Sequence, residues 1–161
     1  MKTLTATLAL LLVLSVGASA QTNVPTPGRE LAELVYGSIE DNPEGTADMG
    51  EFVNLGRDIF VSMDYDENQS IDFGEFTEWD FGFNFIAEDE GQKRAYVTAQ
   101  RILFSFWDRD ADGEISKNEY HQSMVSDFRR ADTDNNAFLT RDEFLSGYII
   151  NVAYRAAIIG Q

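Results

Sequence analysis

The sequence contains no cysteine, three prolines, one histidine and four methionines in 161 residues. Without cysteine there is no disulfide, no lipid-attachment thiol, no sulfur nucleophile and no thiolate for a soft metal. An oxidising compartment is compatible with the chain, but nothing depends on one. The single His121 reads as an exposed or capping side chain rather than a ligand or base. With no G-x-S-x-G and no glycine-rich phosphate loop, no enzymatic activity is expected. Positive charge is also scarce. Twelve Lys and Arg face 28 Asp and Glu, for a net charge of −16. That argues against nucleic acid and anionic membrane surfaces as partners. After residue 20 only Met49, Met63 and Met124 remain, too few for a methionine-rich surface with a broad target range. Long apolar runs are missing except near the start. There Lys2, the stretch from Leu4 to Val16 and the small residues Ala18-Ser19-Ala20 read as a secretory signal over 1–20. The apolar run is short for a membrane span of about 20 residues. The expected location is secreted or periplasmic, after cleavage near Ala20, with no membrane contact in the mature form.

What the chain has instead is carboxylate at fixed spacing. Asp108 to Glu119 reads D-R-D-A-D-G-E-I-S-K-N-E. Asp108, Asp110 and Asp112 stand at positions 1, 3 and 5 of a twelve-residue loop, with Gly113 at 6, Ile115 at 8 and Glu119 at 12. Ca2+ is a hard cation that takes six to eight oxygens. The three aspartates, the Glu114 carbonyl, a water held by Ser116 and both oxygens of Glu119 would supply them. Gly113 allows a turn at positive φ. Asp64 to Glu75 repeats the pattern with Asp64, Asp66, Asn68, the Ser70 carbonyl, Asp72 and Glu75. Here Gln69 stands where glycine is preferred, at a cost of about 1 kcal/mol. Asp132 to Glu143 does so with Asp132, Asp134, Asn136, the Phe138 carbonyl, Thr140 and Glu143, and Ala137 replaces the glycine. Glu40 to Glu51 is a degenerate copy kept for structure. It opens on Glu40, is stiffened by Pro43 and has Ala47 at position 8, while Gly45 is retained. Two or three ions are therefore expected, with Mg2+ as a competitor. Three Ca2+ would supply +6 and leave the chain, without Lys2, at about −11.

The loops follow one another at an offset of 24 residues within each half, and Asp64 and Asp132 are 68 apart. This predicts two copies of a two-loop module: 29–88 with loops 40–51 and 64–75, and 92–161 with loops 108–119 and 132–143. They pack as one all-α domain, 29–161, after a flexible start, 21–28. Only twelve residues separate the paired loops of each half, Phe52 to Met63 and Tyr120 to Ala131. Each set forms one helix of about 18 Å, which places its two loops at opposite ends. The second loop then pairs with the third through Ile71 and Ile115, and the first with the fourth through Ala47 and Leu139. Between Glu75 and Asp108 there is room for two helices with a turn near Glu88 to Gly91. Phe104 and Trp107 share a face there, with Ile102 and Phe106 beside it. The stretch W-D-F-G-F-N-F-I from Trp79 is either helical, with Trp79, Phe83 and Ile86 on one face, or extended, with alternation at 79, 81, 83 and 85. It serves either as core between the two halves, the favoured reading, or as an aromatic surface for a partner helix. After Glu143 the chain runs apolar to Ile159 and is expected to form the last helix.

In these loops the chain resembles the EF-hand superfamily, over nearly all of the region after residue 20. It looks most like the secreted bacterial EF-hand proteins, whose loops sit close together on a short shared helix. The third loop matches the EF-hand pattern in full. The second and fourth depart at position 6, and the first at position 1. Dockerin modules resemble the chain less, because their loops end in Asp where Glu75, Glu119 and Glu143 stand here. The resemblance implies an α-helical calcium binder and names no target. The expected roles are an extracytoplasmic sensor or adaptor that shows an aromatic surface to a protein partner, a calcium buffer, or a structural module folded by calcium.

Overall fold

The computed structural model describes residues 26–39, 45–79 and 81–159. Residues 1–20, and with them the signal-peptide reading, lie outside it, as do positions 40–44 of the first loop. The described residues are mostly helical. Eight helices alternate with two small two-stranded sheets. None of these helices is long and apolar enough to cross a membrane.

Helix α1 (Pro27–Ile39) starts earlier than the sequence suggested. The carbonyl of Thr26 accepts from the Arg29 and Glu30 N–H groups at 2.8 and 3.0 Å. Pro27 then fills the first helical position, where its missing N–H costs nothing. Residues 27 and 28 are thus helical rather than part of a flexible start, and Gly28 is buried.

The centre of the molecule is two long helices, α2 (Met49–Met63) and α6 (Lys117–Ala131). Each connects two strands. β1 (Ala47–Asp48) precedes α2 and β2 (Ser70–Asp72) follows it, while β3 (Glu114–Ser116) precedes α6 and β4 (Phe138–Leu139) follows it. β1 pairs antiparallel with β4, with Ala47 opposite Leu139, and β2 pairs with β3, with Ile71 opposite Ile115. Both pairings are those the loop spacing predicts. α2 therefore runs from one sheet to the other, and α6 runs back beside it.

Their contact repeats once per helical turn. Phe52 meets Phe128 at 5.7 Å between ring centroids, and Phe60 meets Tyr120 at 5.3 Å. Between these pairs Gly56 lies under Met124, where a Cβ on residue 56 would come within 2.7 Å of the methionine Cγ and Sδ. The 68-residue offset carries each ring pair into the other and the central pair into itself. The same relation links the flanks. Tyr36 packs on Phe144 at 5.3 Å, and Phe104 packs on Phe76 at 5.6 Å.

Three segments differ from expectation. Between the second and third loops the chain forms α3 (Phe73–Glu78), α4 (Phe83–Asp89) and α5 (Lys93–Trp107). Trp79 is extended, with ψ 119°, and stacks on Phe81 at 5.0 Å. Gly82, at φ 98°, then turns the chain into α4. Trp79 thus shares no helix face with Phe83 and Ile86. Phe83 is fully buried against Tyr154. On α5, Leu103, Phe104 and Trp107 are buried, whereas Ile102 and Phe106 face solvent. Finally, the apolar stretch after Glu143 is two helices, α7 (Arg141–Gly147) and α8 (Ile149–Ile158), broken at the extended Tyr148. The chain is pressed against α6 at this break. A Cβ on residue 147 would lie 2.5 Å from the Ala131 Cα.

Candidate metal centre

Three loops share one hydrogen-bond scheme, built from the side chains at positions 1, 3, 5 and 12. At position 1 the Oδ2 atoms of Asp64, Asp108 and Asp132 accept from the N–H of residue 69, 113 and 137 at 3.0–3.1 Å. At position 3, Asp66, Asp110 and Asp134 accept from the N–H of Asn68, Asp112 and Asn136 at 3.1–3.2 Å. At position 5, Asn68, Asp112 and Asn136 accept in turn from the N–H of Ser70, Glu114 and Phe138 at 2.7–2.9 Å. Each of these last three residues opens a strand. These bonds wind each loop inward, and carboxylate oxygens gather at the centre.

The winding requires positive φ at two positions. At position 6 it is found at Gln69 (71°), Gly113 (93°) and Ala137 (69°), as the sequence implies. Position 4 shows it too, at Glu67 (61°), Ala111 (59°) and Asn135 (58°). No glycine marks position 4, so sequence reasoning missed it.

Glu75, Glu119 and Glu143 at position 12 have a second role that sequence reasoning also missed. Each completes a capping box for the helix it begins. The partners Asp72, Ser116 and Thr140 precede their glutamates by three residues, which is the sequence sign of this cap. One carboxylate oxygen accepts from the N-cap N–H at 2.9–3.0 Å. The other accepts from the N–H of Tyr65, Arg109 or Thr133 at the loop entrance, at 2.8–3.2 Å. The helix start thereby fixes the carboxylate against the far end of its own loop. For Glu143, burial favours the neutral acid, but hydrogen bonds from Thr140 and Thr133 outweigh it and lower its pKa to about 2. Glu119 is also held below the usual range, because bonds from Ser116, Arg109 and Asp110 overcome its burial. Both therefore stand ready as anions.

Three sets of carboxylates place one oxygen per residue within 4.8 Å of one another: Asp64, Asp66 and Glu75; Asp108, Asp110 and Asp112; Asp132, Asp134 and Glu143. These sets can hold a metal ion. The donors are oxygen throughout, which suits a hard divalent cation and not a soft one. One observation bears directly on the fit. Asp64 Oδ1 is buried without a hydrogen-bond partner, and a bare carboxylate oxygen removed from water is costly unless a cation completes it. The Oδ2 atoms of Asp64, Asp108 and Asp132 each accept one of these bonds and keep a further lone pair, whereas both oxygens of Glu119 and of Glu143 already accept two each.

The second and third loops touch. Ser70 Oγ lies 2.6 Å from Glu114 Oε2, and the Lys117 N–H donates to the Gln69 carbonyl at 3.2 Å. The fourth loop is joined to the third through α6. Asp127, fully buried on that helix, accepts from Trp107 Nε1 at 3.3 Å and pairs with Arg130 at 2.6 Å. Burial raises the Asp127 pKa, and Arg130 and Trp107 draw it back only in part. Sequence reasoning passed over Asp127, although Ile59 stands 68 residues earlier. His121 is exposed on α6. No protein-family model matches the chain, and no curated protein matches it.

Proposed function

We propose that this chain binds Ca2+ in loops 64–75, 108–119 and 132–143 in the manner of EF-hand proteins, and that it serves outside the cytoplasm as an ion-dependent adaptor for a protein partner. The observation that carries the reading is the common hydrogen-bond scheme of the three loops, with oxygen donors gathered at each centre. Asp64, Asp66, Asn68, Ser70 and Glu75 would hold one ion; Asp108, Asp110, Asp112, Glu114 and Glu119 a second; Asp132, Asp134, Asn136, Phe138 and Glu143 a third. The bound ions would supply positive charge where the chain has most negative charge. Mg2+ is expected to compete. No group in the reading calls for catalysis.

A second reading, a calcium buffer or calcium-stabilised module without a switch, is favoured by the burial of Phe83 and Trp107. Much of the aromatic content is core, and less of it than the sequence offered is free to meet a partner.

Calorimetric titration of the calcium-free protein tests the binding. Trp107 emission is followed in a Trp79→Phe background, because Trp107 directly precedes the third loop. Two or three ions are expected, and no saturable binding up to millimolar Ca2+ would overturn the reading. An environment-sensitive dye then separates the roles: new dye binding with Ca2+ supports the adaptor, and an unchanged signal the buffer.

A further inference from the structure

A groove of about 530 Å³ runs between α2 and α6 and reaches Lys117 and Asn118 of the third loop at one end. Its volume falls in the range of specific ligand sites. The floor is apolar, made by Val53, Phe60, Tyr120 and Met124. The rim is of the opposite kind. Arg57 comes from α2, and Lys117 and His121 come from α6, with two asparagines between them. All three are exposed. Arg57 makes only a 3.5 Å ion pair with its neighbour Asp58, and Lys117 makes none among the described residues. In a chain with 28 acidic and 12 basic residues, no lining residue of this groove is acidic.

We propose that this groove is the partner site, and that its occupant is an acidic amphipathic peptide segment. Apolar side chains of the segment would sit on Val53, Phe60 and Met124, and flanking carboxylates would meet Arg57 and Lys117. The charge pattern decides the choice of occupant. A basic segment would be drawn to the loops and repelled at this rim, whereas an acidic one meets Arg57 and Lys117 here beside an apolar floor, with no carboxylate among the lining residues. A second copy of this chain, itself at −16, is disfavoured by long-range repulsion.

The inference deepens the reading above, and rests on it only for its ion dependence. The second and third loops together carry ten carboxylates against Arg109 and Lys117, and Lys117 starts the helix that lines the groove. Without ions this pole repels an acidic segment; with two divalent ions its field falls by four charges. Binding of the segment should follow loop filling through electrostatics, without any rearrangement of helices.

The test uses two short acetylated peptides with the same leucines at i and i+4, one flanked by glutamates and one by lysines. Each is titrated into the isotope-labelled protein with Ca2+ and with a chelator, following amide shifts on α2 and α6. The glutamate peptide is expected to bind with Ca2+, to shift residues 53–60 and 117–124, and to weaken about tenfold in Arg57→Glu. Arg57 lies outside the loops, and circular dichroism confirms that the variant folds. No shift with the glutamate peptide, equal or tighter binding of the lysine peptide at the groove, or an Arg57→Glu variant that binds as before would overturn the proposal. The ion titration of the unaltered protein is scored separately. Ion binding without groove binding sinks this proposal alone, and groove binding without ion binding sinks the calcium reading alone.

Discussion

Gln69 and Ala137 take a positive φ, 71° and 69°, at the position where Gly113 takes 93° in the third loop. A side chain there costs about 1 kcal/mol, and the loops adopt the angle because hydrogen bonds from the N–H of residues 69, 113 and 137 hold it. If those bonds shape the loop before any ion arrives, the strain is a property of the fold. Gly113→Ala should then lower the melting temperature in chelator by about 2–4 °C, the shift expected of roughly 1 kcal/mol in a domain of this size. Unchanged melting without ions, together with weaker Ca2+ affinity, would mean that the loop takes its shape only around the ion. At this scale the sequence was legible wherever a residue type is tied to a geometry. Glycine at position 6 is such a case, and so are acids two residues apart. The positive φ of Glu67, Ala111 and Asn135 was not legible, because these residue types fit many backbones. Asp127 was hidden for a related reason: an acid on a helix ordinarily faces water, and only the contact with Trp107 shows otherwise.

At the scale of elements, spacing proved more informative than composition. Twelve residues between loops leave room for one helix and no turn, and from that the pairing of Ala47 with Leu139 and of Ile71 with Ile115 followed. The breaks at Trp79 and Tyr148 did not follow, because an apolar run reads alike whether it is one helix or two. What ends α7 is its approach to α6 at Ala131, a contact 16 residues distant in sequence. Two glycine substitutions should therefore act in opposite directions. Gly147→Ala drives a methyl group into the Ala131 backbone and should cost about 1–3 kcal/mol. Gly37→Ala, on the open face of α1 where nothing lies within 4 Å, should gain about 0.5–1 kcal/mol. Urea unfolding in chelator measures both. Equal effects would mean that α7 can move away from α6 freely.

At the scale of the whole molecule, both sheets lie at poles rich in carboxylate, and the core runs between them along α2 and α6. Ion removal should act on the entire fold. An ion at a hundred times its dissociation constant adds about 2.7 kcal/mol per site, so the melting temperature in saturating Ca2+ should exceed that in chelator by at least 5 °C, by the same scaling. Coincident melting curves would count against any site being filled. The two central helices carry one more consequence, at Gly56 and Met124. These residues are counterparts under the 68-residue offset, and they face each other. A half-length chain pairing with a copy of itself would have to put the same residue on both sides of that point. Two glycines would leave a void, and two methionines would collide. Joining the halves in one polypeptide frees the two positions to differ, so that a knob on one side can be matched by a hollow on the other.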